Sequence, residues 1–198
     1  MKTTGIILIV LFMLTGCSPE SSIDRYNKLE KKELASGKRA DSIFFGISLG
    51  MPQKKFFLYC WEMNKKGIFS DGADDRGVMC VLYKLDTQLH TPATMNFYPE
   101  FNDSAIWKMR STFQYKGWAP WNKHLGADSL LPDVLSMYKK WYSYGNPFIE
   151  ITDEKKGVKY VKVDGNRRIT IKKTDDVIVE ANYTDMLVEK KIGNKHEQ

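Results

Sequence analysis

The spacing of hydrophobic positions along this chain changes several times, and each change marks an element. Over 42–49 the period is two: Ile43, Phe45, Ile47 and Leu49 alternate with Ser42, Phe44, Gly46 and Ser48, which predicts a strand. Gly50-Met51-Pro52 ends that run. Apolar residues then recur at three and four (Phe56, Phe57, Cys60, Trp61, Met63), which predicts a helix over 52–67. Pro52 fits its first turn, where the missing N–H costs nothing. Three strands follow at 78–85, 93–101 and 105–115, with an Asn102-Asp103 turn between the last two. Residues 117–126 read as an aromatic loop. A second helix is predicted over 129–142, with Leu130, Leu131, Val134, Leu135, Met137, Tyr138 and Trp141 as its apolar side. Four further strands are predicted at 148–152, 158–163, 167–172 and 177–183. Asp164-Gly165, between two alternating runs, is the strongest hairpin signal in the chain. Residues 70–77 read as a solvated loop and 192–198 as a polar, frayed tail.

These elements predict an α+β fold: an antiparallel sheet with two helices packed on one face. A helix followed by a strand meander occurs twice. Residues 41–116 and 117–185 therefore read as two helix-plus-strand-meander units within one domain, 41–198.

The N-terminus has a different pattern. Lys2 precedes a nine-residue apolar run over 6–14, and Thr15 and Gly16 are small. These are the three parts of a secretory signal, 1–16. Nine residues rise only about 14 Å as a helix, too little to cross a bilayer. Leu14-Thr15-Gly16-Cys17 resembles the lipobox of bacterial lipoproteins. That resemblance implies cleavage before Cys17 and acylation of its sulfur and new amino group, which together give stable anchoring. It also implies a place in the cell envelope, with Ser18 pointing to the outer membrane in a Gram-negative host. Residues 17–40 are then the lipid anchor and a polar tether. Ser21-x-x-Asp24 could cap a short helix there to about Glu33; a flexible stalk is the alternative.

A second resemblance rests on Phe45-Gly46-Ile47-x-Leu49-Gly50-Met51 and the charged, apolar-periodic helix after it. This stretch looks like the start of small outer-membrane lipoproteins of the SmpA/OmlA type. Tandem helix-plus-strands units look like the β-lactamase inhibitor protein fold. Both imply a protein-binding module on the envelope side of the membrane.

Charge adds little to that picture. Removing 1–16 takes away one Lys and no acid, which leaves 29 basic and 24 acidic side chains. The basic residues come as scattered pairs, such as Lys54-Lys55, Lys139-Lys140 and Lys172-Lys173. Scattered pairs read as solvated faces and not as the clustered patch that nucleic acid needs.

Candidate chemistry is sparse. Cys60 and Cys80 form an even pair outside the cytosol, which permits a disulfide; two buried free thiols are the alternative. Gly46-Ile47-Ser48-Leu49-Gly50 matches G-x-S-x-G, the nucleophile elbow of serine hydrolases. Ser48 falls inside the alternating run, however, and too little chain precedes it for such a fold. His90, His124 and His196 read as loop and tail residues and offer no triad. No two histidines lie close, no C-x-x-C exists, and Asp71, Asp74 and Asp75 lack calcium-loop spacing. No catalytic set, metal or cofactor is therefore expected. Trp118 and Trp121 flank Ala119-Pro120 in the aromatic loop. Exposed tryptophans can anchor an envelope protein partner or stack on a glycan. The expectation is a membrane-anchored, non-catalytic interaction or scaffold module, with glycan binding as the alternative.

Overall fold

The computed structural model describes residues 20–153 and 157–196. Cys17 and the signal lie outside the described residues. The fold is α+β. Among the described residues, eight strands form one antiparallel sheet in the order β1-β2-β3-β4-β8-β7-β6-β5, and four α-helices accompany it.

Helix α1 (Ser22–Ala35) is followed by α2 (Gln53–Lys65) and a four-strand run: β1 (Phe69–Ala73), β2 (Met79–Lys84), β3 (Ala93–Asn102) and β4 (Ala105–Tyr115). Helix α3 (Ala127–Trp141) then precedes β5 (Ile149–Asp153), β6 (Gly157–Asp164), β7 (Arg167–Lys173) and β8 (Val179–Asp185), and α4 (Met186–His196) ends the described chain. The two runs meet where β4 pairs with β8, with Met109 opposite Tyr183 and Phe113 opposite Val179.

Side-chain alternation assigns the sheet faces. Phe97, Met109, Phe113, Ile169, Ile171, Ala181 and Tyr183 are all buried in the main core, together with Phe56 of α2 and Leu130, Val134 and Tyr138 of α3. Burial of this many large apolar side chains is the main force holding the sheet to those helices, at about 1.5–3 kcal/mol for each one fully buried. Val161 and Val163 of β6 alternate to the other side. They join Ile149, Ile151 and Met186 in a second cluster, closed by Tyr26, Leu29 and Leu34 of α1.

Several expectations change. Residues 42–49 are a tight turn and not a strand. Ile47 N–H donates to the Phe44 carbonyl at 2.8 Å, and Ser42 bridges Ser48 across the turn. Gly46 permits the reversal that a period-two reading overlooks. Residues within 70–77 contribute an edge strand, β1, which pairs with β2 from Phe69–Tyr83 to Ala73–Met79. The tail begins as helix α4, because the Asp185 carboxylate accepts from the Leu187 N–H at 3.0 Å at its first turn. Of the two readings left open for the predicted tether, residues 22–35 take the helical one, as α1. Ser21 accepts from the Asp24 N–H at 3.1 Å, the N-cap the sequence suggests, and α1 packs on β5 and β6.

Candidate functional site

The turn at 44–47 is wedged between the two strand runs. Phe45 and Gly46 have φ values of 50° and 79°, the sign pattern of a type I′ turn. For a bulky residue such as Phe45 this conformation costs about 1–3 kcal/mol. Its surroundings hold it there. The Tyr59 hydroxyl donates to the Phe45 carbonyl, and the Phe45 ring lies 4.4 Å from that of Tyr83 and 5.8 Å from that of Trp141. Phe44 turns inward and meets Phe97 at 4.9 Å and Tyr183 at 5.6 Å, both edge to face.

The C-terminal end of α3 forms the opposite wall. Trp141 is half-buried and its ring packs on Tyr138 at 5.5 Å. Tyr142 ends the helix; its hydroxyl donates to the Ile43 carbonyl and lies 2.9 Å from the Tyr183 hydroxyl. Burial pushes the Tyr142 hydroxyl up to about 12, so it stays a neutral donor at any physiological pH. The chain then passes Tyr144, which is 90% exposed, and reverses at Gly145 with φ 83°. A side chain at Gly145 would come within 2.3 Å of Asp164 Oδ1, so glycine is required there.

Arg167 lies among these walls, at the start of β7 and only 6% exposed. Its guanidinium stacks 4.7 Å above the Tyr142 ring. One terminal nitrogen donates to the Ser42 carbonyl and the other to Asp164 Oδ2 at 3.0 Å. Its Nε is buried without a hydrogen-bond partner. Directly behind, Lys162 is 1% exposed, donates to the Tyr144 and Asn146 carbonyls, and sits 3.2 Å from the same Asp164 oxygen. Ser42, Ile43, Phe44, Phe45, Trp141, Tyr142, Tyr144 and Arg167 thus enclose an open cleft of about 430 Å³. Apolar walls with a few convergent polar groups are what a binding site requires.

The sequence-level candidates lie elsewhere. Trp121 is 82% exposed, while Trp118 is half-buried in a separate hollow of about 390 Å³ with Pro120, Lys123, Gly126, Asp128 and Asp176. The two rings do not share that hollow. Cys60 and Cys80 are free thiols. The disulfide alternative fails because Cys60 packs on the main core from α2, whereas Cys80 sits between Val81 and Met79 on β2 and faces Asn96, Arg110 and Thr112. Neighbouring Val81 and Tyr83 pack on the main core, so the pleat sends Cys80 to the other side of the sheet. Asp74 and Asp75 are occupied by Arg110, at 2.9 Å each, and among the described residues no metal-binding cluster is present. Ser48 stands on the returning limb of the 44–47 turn, not on a strand-to-helix elbow, and among the described residues no histidine hydrogen-bonds it.

Arg167 carries no motif, and Phe45 stands in one only as the first residue of the Phe45-Gly46-Ile47-x-Leu49-Gly50-Met51 stretch. The one local hint is Arg167-Arg168, one residue beyond the Asp164-Gly165 turn, a charged pair where a strand begins. No family model matches the chain, and no curated protein or solved structure is significantly similar to it.

Proposed function

We propose that this chain is a lipid-anchored envelope protein that docks a partner protein without catalysis, through the cleft between the 44–47 turn and α3. The observation that carries the reading is Arg167, buried among aromatic walls with an unpaired Nε. A buried guanidinium with an unused donor is costly in a site that only packs. Aromatic side chains around it are the residue types that dominate docking energetics.

The anchor reading rests on Leu14-Thr15-Gly16-Cys17 at the end of an apolar run. It puts the body in the envelope, at the outer membrane in a Gram-negative host. We further infer that 41–116 and 117–185 are repeated helix-plus-meander units, with α2 and α3 on one face of the sheet. The symmetrical strand order supports this, and the cleft would then be built at their seam. The resemblances to SmpA/OmlA-type lipoproteins and to the β-lactamase inhibitor protein fold agree with such a docking module.

Two measurements test the reading. Metabolic labelling with palmitate should mark the wild-type chain and not Cys17→Ser; absence of label from the wild type sinks the anchor. Cross-linking in whole cells should give a specific adduct that Trp141→Ala loses. An adduct unchanged by Trp141→Ala sinks the cleft. The 82% exposure of Trp121 favours a second reading, glycan stacking on the aromatic loop. A tryptophan fluorescence titration with an oligosaccharide panel tests it, and no shift with any sugar ends it.

A further inference from the structure

The cleft has two features that an apolar pocket does not need. The first is the Arg167 guanidinium, which is buried yet uses only its two terminal nitrogens, on the Ser42 carbonyl and Asp164. The second is a shared counter-ion. Lys162 and Arg167 share one carboxylate oxygen, Asp164 Oδ2, at 3.2 Å and 3.0 Å. Among the described residues no other carboxylate lies within 4 Å of either cation. A buried cation that shares its counter-ion gains from a further anion.

Other cations of the sheet contrast with this pair. Lys108 and Arg168 line a hollow on the opposite face, but each has a carboxylate close by, Glu100 at 2.7 Å and Glu189 at 2.6 Å respectively. Those charges are matched where they stand.

We propose that the cleft captures the C-terminal carboxylate of a partner chain whose last residue carries an apolar ring. The proposal rests on the reading of the cleft as a protein-docking site. The ring packs against Phe45, Trp141 and Tyr144. The carboxylate meets the Arg167 guanidinium where that side chain lines the cleft, a planar partner for which arginine is preferred over lysine. A volume of about 430 Å³ holds one large side chain with its terminal group and not a folded element. Capture of a chain end by a few fixed donors is an established mode of peptide recognition.

The test uses the full chain in detergent micelles at pH 7, titrated with N-acetyl-Gly-Gly-Phe and with its C-terminal amide. Calorimetry reads affinity, and tryptophan fluorescence reports on Trp141 at the wall. The acid should bind saturably and the amide at least about tenfold more weakly, since only the acid carries the charge. Arg167→Lys should reduce binding of the acid to the level of the amide. Equal affinity of acid and amide overturns the proposal while leaving the docking reading intact. No binding of either also overturns it, and the docking reading is then judged by the Trp141→Ala cross-link alone. The comparison of acid with amide is made on the unaltered chain, so it decides the matter even if Arg167→Lys does not fold.

Discussion

The Asp164 carboxylate lies 3.2 Å from the ammonium of Lys162, a side chain that is 1% exposed. The same carboxylate receives Arg167 and the Asn146 N–H, the latter at 2.8 Å. Removing one member of a buried pair leaves an uncompensated charge, at about 3–5 kcal/mol. Asp164→Asn should therefore cost stability in that range in urea unfolding. The double variant Lys162→Met, Asp164→Asn should cost clearly less than the two single changes added together. Simple additivity would mean that the pair is not coupled.

Phe45 gives a test with an unusual order of stability. Truncating a packed Phe costs about 3–5 kcal/mol, and both Phe45→Ala and Phe45→Gly should pay most of it. At ordinary backbone positions Ala is the more stabilising of the two. At φ 50° the order should reverse, with Gly ahead by about 1 kcal/mol, because only Gly is unstrained there. Denaturant midpoints of the two variants settle it. Ala equal to or ahead of Gly would remove the left-handed turn from the account.

What could be read from the sequence followed the range of the contacts involved. Helices α2 and α3 announced themselves through Phe56 and through Leu130, Val134 and Tyr138, whose three-and-four spacing is local. Asp164-Gly165 likewise forms its hairpin, with Gly165 at φ 55°. Strand β1 carried no such signal, since Phe-Ser-Asp-Gly-Ala does not alternate and is held as an edge by backbone pairing with β2. Helix α4 depends on the Asp185 cap more than on an apolar stripe. The cleft was least legible of all. Its floor joins Ser42 to Arg167 across 125 residues, and no window along the chain contains both. Trp118 and Trp121 are close in sequence and share no hollow; the rings that do meet, Phe45 and Trp141, are 96 positions apart.

Arg110 gathers Asp74, Asp75 and Glu180 at 2.9, 2.9 and 2.6 Å and so fastens the β1–β2 loop to the sheet. Burial works to raise the Asp74 carboxyl. Hydrogen bonds from the Arg76 side chain and from the Val78 and Arg76 N–H groups outweigh it and hold the group below its ordinary 3.8. A carboxyl lowered on folding stabilises fully above its unfolded value, and that contribution is lost as pH falls through the folded one. The melting temperature should thus fall as pH drops below about 4. Asp74→Asn should be less stable at pH 7 and show a flatter acid limb. An unchanged limb would assign the acid sensitivity to other carboxylates, such as Asp41 beside Arg39.

Burial raises the Cys60 thiol to about 12, and burial with a smaller push from Asp74 raises Cys80 to about 11. Thiols react as thiolates, so both should resist alkylation in the native protein at pH 8. Mass spectrometry after iodoacetamide should show little labelling until denaturant is added, and then two labels on residues 60 and 80. A native mass two hydrogen atoms lighter would indicate a disulfide and refute the separation of the two thiols by the sheet.

Docking of α1 turns on Gly165. The Gly165 N–H donates to Glu33 at 2.8 Å, and a side chain there would come within 2.5 Å of the Lys38 carbonyl. That neighbour is backbone, so it cannot give way by a rotamer change. Gly165→Ala should push the 36–40 segment away and loosen Tyr26, Leu29 and Leu34 from the second cluster. Hydrogen exchange should then quicken throughout α1 while β3, β4 and β8 stay protected. Unchanged protection in α1 would mean that its packing on β5 and β6 suffices without the turn. The result bears on the anchor as well, because Cys17 stands only five positions before Ser22. On the proposed lipidation of Cys17, a docked α1 would fix which side of the sheet the lipid leaves from, and an undocked one would free the body to move.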